Sequence, residues 1–314
     1  MGWSGFSAPK RARGRYRCRT SSRAAGDLTA LLYPDLALHC VTIKPGFLTG
    51  LASLGNVAGI TGSSMKISVV TASYNSEATI GFTIESFLRQ SHSEKEMLVI
   101  DGASSDATVK IAESFGSVAI RIFSEKDKGV YDAMNKGFHL FQGDVVGFLN
   151  SDDTFHDSEA LSDIAAAMQD SDIVYGDLNM VSDHHTKRIV RSWRGGAFKR
   201  YSFQLGWVPP HPTFYMRREV ARKVGDYDLR YVTTADYDYM LRALVLNDFR
   251  VRYIPRVVAD FQVGGISTSG LGVSMRGNLE CLRSRREHLN APPIDPAFFL
   301  RFARRILQIR KLGS

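Results

Sequence analysis

The sequence predicts an α/β fold, a mainly parallel central sheet with helices on both faces. Two observations carry that expectation. From Met65 onward, short β-branched runs alternate with segments of helical period. Polar clusters fall just beyond the ends of those runs, where open parallel sheets bind their ligands. Residues 67–72 read as a buried strand, and Ile80, Ile84, Phe87 and Leu88 mark a helix. Residues 97–100 form a second strand that stops at the turn signal Asp101-Gly102. Val109, Ala112 and Phe115 suggest a weaker helix, and residues 119–123 a third strand. Val130, Met134, Phe138 and Phe141 mark the next helix, followed by a fourth strand at 145–149. Leu161, Ile164, Ala165 and Met168 give another helix, and residues 173–175 a fifth strand. The rhythm breaks after Asp177. Strands are expected at 188–193, 213–216, 251–254 and 257–263, a proline-rich loop at 208–212, and a helix on Tyr237, Met240, Leu241 and Leu244.

Composition narrows the class. With 314 residues, 44% apolar and 23% charged, the chain is globular and large enough for a sizeable core. Its three cysteines, Cys18, Cys40 and Cys281, make no CxxC, which argues against a zinc site or a disulfide scaffold. Residues 1–64 carry eight cations and two anions, so +6 of the total +8 sits there and +2 falls to 65–314. The basicity therefore belongs to the leading segment, and no nucleic-acid partner is expected. Residues 45–65 are uncharged but hold five glycines and many polar residues, too polar for a membrane span. The segment 1–64 is read as a disordered leader or a mis-assigned start, with Met65 as the first residue of the domain. A targeting peptide is the second reading of it. Residues 65–293 are expected to form one domain. At 294–314, Phe299, Phe302, Ile306 and Ile309 line one helical face and Arg301, Arg304, Arg305 and Lys311 lie largely on the others. Such a basic amphipathic helix can pack on the domain or rest on an anionic membrane surface.

The chemistry-bearing residues sit at the strand ends. The first strand leads into Ala72-Ser73-Tyr74-Asn75-Ser76, with no G-x-G-x-x-G and no Walker A lysine, which counts against a dinucleotide enzyme or a P-loop NTPase. Asn75 or Ser76 can cap the following helix. Asp101 closes the second strand, where a carboxylate accepts from a nucleobase imide or a ribose hydroxyl; taken alone, an Asp-Gly turn explains it as well. Asn150-Ser151-Asp152-Asp153 follows the fourth strand. Two adjacent carboxylates at the end of a buried strand are costly unless something cationic meets them. A hard divalent ion with oxygen ligands fits, and capping or solvation is the plainer alternative.

Together these motifs resemble a known family. Val69-Val70-Thr71-Ala72-Ser73-Tyr74-Asn75 is followed by Val99-Ile100-Asp101-Gly102-Ala103-Ser104-Ser105-Asp106. Next come Ser124-Glu125-Lys126-Asp127-Lys128-Gly129-Val130-Tyr131-Asp132-Ala133-Met134-Asn135-Lys136-Gly137 and Phe148-Leu149-Asn150-Ser151-Asp152-Asp153. The series ends with His211-Pro212-Thr213, Thr234-Ala235-Asp236-Tyr237-Asp238 and Gly264-Gly265-Ile266-Ser267. In this order, residues 66–267 resemble the inverting glycosyltransferases of the large bacterial family two, similar to colanic-acid-type and other surface-polysaccharide transferases. The resemblance implies a GT-A fold with a Rossmann-like nucleotide-binding half. It implies that Thr71, Tyr74 and Asp101 contact the base and ribose of a nucleotide-sugar donor, that Asp132 and Asn135 border the donor site, and that Lys128 lies near the phosphates. Asp152 would sit by the ribose or metal. Asp153 would ligate Mg²⁺ or Mn²⁺ on the diphosphate, with His211 a further metal candidate. Asp236 matches the family's general base, with Asp238 as its rival.

The chain departs from the family pattern at Asn150, where an acid is usual, at Ala235 in the acidic pair, and at Met134, where many relatives are basic. No QxxRW motif is present, which disfavours a processive synthase. The implied reaction is metal-dependent transfer of a sugar to a hydroxyl of a glycan or lipid-linked acceptor, with inversion by in-line attack. Surface-polysaccharide assembly, in the cytoplasm or peripherally on the inner face of the membrane, is the implied setting. Asp236 has a structural reading too, since acids favour helix starts, and His211 precedes a proline and is merely held extended. The alternatives are a non-catalytic nucleotide- or glycan-binding member of an assembly complex, kept alive by Asn150 and Ala235, and a nucleotidyltransferase. The latter would carry a Gly-rich basic phosphate loop that residues 72–76 lack.

Overall fold

A computed structural model of the protein describes residues 65–264, 271–292 and 295–301. Contacts divide the chain into Met1–Gly59 and Ile60–Ser314, and every described residue lies in the second. The expectations for the leader, for residues 265–267 and for most of the C-terminal helix fall outside the described residues.

The sheet is built around β1 (Ile67–Ser73), whose seven residues are all buried. A strand covered on both faces reads as a continuous apolar run, which is why it is legible in the sequence. Its parallel neighbours are β2 (Lys95–Asp101) and β4 (Val145–Phe148), and β3 (Ile120–Ser124) adds to β2. Beyond β4 the sheet turns mixed. The antiparallel β8 (Tyr215–Arg217) joins β4 to β6 (Ile173–Val181), β9 (Val251–Gln262) runs parallel to β6, and β5 (Asp153–Phe155) closes the edge against β9. The order is β3-β2-β1-β4-β8-β6-β9-β5, and β7 (Ile189–Trp193) pairs with β6 as a hairpin.

Alternation along β1 sends side chains to two cores. Ile67 and Val69 pack with α1 (Ile80–Leu88), α2 (Thr108–Ser114) and α4 (Ala160–Met168), through Ile84, Phe87, Ala112, Leu161 and Ile164. Val70 and Ala72 face α3 (Val130–Leu140), α5 (Arg218–Val224) and α6 (Ala235–Val245), through Met134, Val220, Tyr239 and Leu241. Cys281 of α7 (Leu271–Leu289) joins this second core. Helices thus cover both faces, as the sequence predicts. Among the described residues, no helix is long and apolar enough to cross a membrane.

The second half differs in detail from expectation. The short fifth strand runs on to Val181, and the two strands expected between 251 and 263 are one, β9. Pro255 lies inside β9 and cannot donate to a ladder. The strand absorbs it by shifting register opposite Tyr175–Leu178. The three-residue β5 is too short for a periodic signal, and α5 and α7 have no counterpart in the sequence reading.

α3 lies close on β1 at Gly137, where a Cβ would stand 2.3 Å from Val70 Cγ1. Gly137→Ala is therefore expected to destabilise by about 1–3 kcal/mol through overpacking. Chemical denaturation should show this as a lower midpoint at an unchanged slope.

Candidate active site

The carboxyl edge of β1, β2 and β3 carries one organised row. The parallel register sets Ser73 beside Asp101 and Asp101 beside Ser124. Asp101 has no exposed surface and accepts four hydrogen bonds: from Ser73 Oγ at 3.3 Å, Ser104 N at 2.9 Å, Ser104 Oγ at 2.5 Å and Ser124 Oγ at 2.7 Å. A carboxylate offers about four acceptor sites, so these serines fill it. Through these bonds Asp101 shapes the loops at the strand ends. Next to it, a Cβ on Gly102 would lie 2.6 Å from Asp127 Oδ2 and 3.3 Å from Tyr74 Cδ2, so the glycine lets three loops meet. Tyr74 stays 61% exposed at the rim. Thr71 is buried, and its hydroxyl has no partner. Asn75 and Ser76 do not cap α1, whose N-cap is Thr79. Asn75 takes φ +48° and its Oδ1 accepts the Ser105 N–H at 2.9 Å, tying the first two loops together.

The start of α3 is set by two aspartates. Asp127 accepts the Gly129 N–H at 2.8 Å, and Asp132 accepts the Lys128 N–H at 2.9 Å, leaving the Lys128 ammonium exposed. Asn135, expected to border the donor site, lies within α3. Its amide is buried and pairs with the Tyr227 backbone at both ends, donating to the carbonyl at 3.0 Å and accepting from the N–H at 2.8 Å. It braces α3 against the loop before α6.

The acidic turn is fastened to β1: Ser151 N–H donates to the Ala72 carbonyl at 3.3 Å, and the Ser151 and Ser76 hydroxyls meet at 2.8 Å. Asp152 is partly exposed, and burial raises its carboxyl above the usual range. Asp153 has no exposed surface, and neither carboxyl oxygen has a hydrogen-bond partner. Burial first, and the Asp152 charge second, push its carboxyl well above the usual range. Asn150 Oδ1 is likewise buried without a partner. Among the described residues no three His, Cys, Asp or Glu side chains form a complete metal cage. A buried carboxylate without a partner beside a partly exposed one fits the other way of holding a hard divalent ion, in which phosphate oxygens and waters complete the shell. The sequence reading missed His184, whose Nε2 hydrogen-bonds the Asp152 carbonyl at 2.9 Å and whose ring lies 5.4 Å from Phe82.

Asp236 stands in the first turn of α6. The Tyr131 hydroxyl of α3 donates to its Oδ1 at 3.0 Å. Burial, then the Asp236 charge, raises the Tyr131 phenol well above its ordinary value, so it stays a neutral donor. Nothing in the spacing of Tyr131 marked it, although it directly precedes Asp132. His211 lies near enough to feel the Asp236 charge, stacks on Phe148 at the end of β4 with ring centroids 5.4 Å apart, and hydrogen-bonds the Tyr227 hydroxyl through Nε2 at 2.8 Å. Only Nδ1 of His211 is left for the metal role expected of it. Phe148 thus links the surroundings of Asp236 to the strand that leads into the acidic turn. The rival Asp238 is engaged by other partners. It is buried facing away, bound by Arg242 Nε and Ser284 Oγ at 2.8 Å each and by His288 Nε2 at 3.0 Å.

A mixed, mostly parallel sheet with an acid pair beyond β4 and a separate carboxylate at the start of α6 is the arrangement of the GT-A class of transferases. Solved structures share the fold. The mannosyltransferase PcManGT from Pyrobaculum calidifontis, in complex with GDP-Man and Mn²⁺, matches with TM-score 0.56 and 15% identity over 75% of this chain and 68% of that one. S. aureus TarS 1–349 matches with TM-score 0.56 and 18% identity over 79% of this chain and 74% of that one. In another S. aureus TarS structure the match covers 44% of that chain. The family model for glycosyl transferase family 2 matches residues 68–225, and the chain belongs to that family. It is 32% identical over 209 residues, 64% of this chain and 79% of the relative, to a PGL/p-HBAD biosynthesis glycosyltransferase of Mycobacterium bovis (strain BCG / Pasteur 1173P2). The amylovoran biosynthesis glycosyltransferase AmsB of Erwinia amylovora is 27% identical over 240 residues, 72% of this chain and 79% of the relative.

Proposed function

We propose that this glycosyltransferase moves a sugar, with inversion, from a nucleotide-sugar donor to a hydroxyl of a glycan or lipid-linked acceptor in surface-polysaccharide or glycolipid assembly. One observation carries the reading: Asp236 is held by a neutral phenol, while Asp153, next to Asp152 beyond β4, is a fully buried carboxylate without a partner. The chemistry needs those two roles kept apart. Asp236 takes the proton from the acceptor hydroxyl through the oxygen that Tyr131 leaves open. Tyr74, Thr71, Lys128 and Asp132 are the donor-site candidates, and Asp101 acts through the serines around it. Asp152 and Asp153 would hold Mg²⁺ or Mn²⁺, which when bound neutralises the leaving diphosphate. The names of the mycobacterial and Erwinia relatives support an acceptor in glycolipid or polysaccharide assembly.

A panel of UDP-, GDP- and TDP-sugars with and without Mg²⁺ or Mn²⁺ tests this. One donor is expected to raise the melting temperature only when metal is present; saturation to 100 times its Kd corresponds to about 2.7 kcal/mol. Release of the nucleoside diphosphate from that donor should follow. A panel without any metal-dependent response sinks the reading. Binding without turnover favours the non-catalytic assembly role, which Asn150, standing where relatives carry an acid, supports.

A further inference from the structure

α7 carries a carboxylate aimed at the start of α6. Glu280 Oε2 accepts from the N–H groups of Thr233 and Thr234 at 2.9 and 3.1 Å, and from their hydroxyls at 2.9 and 3.1 Å. Its Oε1 accepts from the Val232 N–H and from Arg276 Nε, both at 3.2 Å. Thr234 is the N-cap of α6, yet its side chain makes no capping bond to the helix, because its hydroxyl donates to Glu280. Helix starts need their orphan N–H groups met, and a cap supplied by the residue itself is the usual device. Here the neighbouring helix fastens the entry segment in its place. A Cβ on Gly277 would lie 3.3 Å from Thr234 Cγ2, so α7 approaches this segment closely. Ser284 and His288 continue the grip by binding Asp238. Positions 277, 280, 284 and 288 recur every three or four residues, so one face of α7 holds the first turn of α6. Asp236 comes two residues after Thr234 and points the other way, to Tyr131.

We propose that Glu280 is a positioning residue for Asp236, fixing the first turn of α6 so that the carboxylate meets the acceptor hydroxyl. The role rests on the reading of Asp236 as the base. Glu280 lies outside the span matched by the family model. Without it the segment entering α6 loses the hydrogen bonds at Val232, Thr233 and Thr234, and a displacement of ~1 Å at a reacting group can cost ~100-fold in rate.

Glu280→Ala, Glu280→Gln and Asp236→Asn in the full chain test it. Turnover is read as nucleoside diphosphate release from the nucleotide sugar that responds in the panel, and donor-site integrity as the Kd for UDP or GDP. Glu280→Ala is expected to lower kcat by roughly 10- to 100-fold with nucleotide Kd within about twofold. Glu280→Gln keeps an acceptor oxygen and is expected to recover most of that loss. Parental kcat in Glu280→Ala, or an equal loss of nucleotide affinity, overturns the proposal. Inactive Asp236→Asn beside fully active Glu280→Ala overturns the positioning role alone, whereas active Asp236→Asn overturns the base reading beneath it. If Glu280→Ala does not fold, Gly277→Ala disturbs the same contact. A selective fall in kcat there supports the role, and an unchanged kcat overturns it.

Discussion

Asp236→Asn is expected to lower kcat by about 10³-fold while the Kd for the nucleotide stays within about twofold, since general-base catalysis contributes ~10²- to 10⁴-fold. The change is nearly isosteric. The amide oxygen still accepts the Tyr131 hydroxyl, now at 3.0 Å from Oδ1, so the link between α3 and α6 survives. What goes is the second oxygen's capacity to take a proton. Asp238→Asn supplies the opposite signature. That carboxylate is buried and meets Arg242, Ser284 and His288. Losing the charge there weakens a buried ion pair, expected to cost about 3 kcal/mol or more, while the amide oxygen still accepts from Ser284 and turnover per folded molecule falls far less than in Asp236→Asn. Melting curves and initial rates on the two variants separate the residues. Equal turnover in Asp236→Asn and the parent would remove Asp236 from the chemistry.

The sequence makes the parallel half legible because its strands are fully covered. Residues 67–73 and 95–101 are almost wholly buried, so apolar runs ending in turn signals mark them directly. The far half hides its order for physical reasons. β5 is three residues long, β9 contains a proline that shifts its register, and α7 is rich in charge. The site divides in the same way. Which residue types gather, and at which strand ends, follows from motif order. Which way each side chain points does not. Asp236 and Asp238 lie two residues apart, on opposite sides of a helix by its geometry. Only the packing of α7 against Asp238 tells which of them is left for the cleft. The same holds for Asn135, whose place on α3 is visible but whose pairing with the Tyr227 backbone is a long-range contact.

Asp153→Asn should make the metal-free protein more stable and the catalyst far weaker. Asp153 is fully enclosed, and neither of its oxygens finds a donor. Its carboxyl is pushed well above the usual range by burial and by Asp152, so at neutral pH the folded state must either take up a proton there or hold a charge at a cost. An amide of the same shape needs neither. Relief of about 1–2 kcal/mol is the expected scale, well below the full burial cost of an ion because protonation already limits it. For a domain of this size that corresponds to roughly 2–8 °C in melting temperature. The same substitution removes the charge that a divalent ion would meet, so the metal-dependent rise in melting temperature with nucleotide should vanish and turnover should fall by about 10²-fold or more. Asp152→Asn isolates the partly exposed neighbour. It should weaken the metal response with a smaller gain in stability, because its carboxylate is less buried. Thermal melts of the parent and both variants at pH 7.5, with UDP or GDP and with Mg²⁺, Mn²⁺ or chelator, read all of these effects. An Asp153→Asn protein that melts lower than the parent and still responds to metal would show that the enclosed carboxylate serves the fold and not the ion.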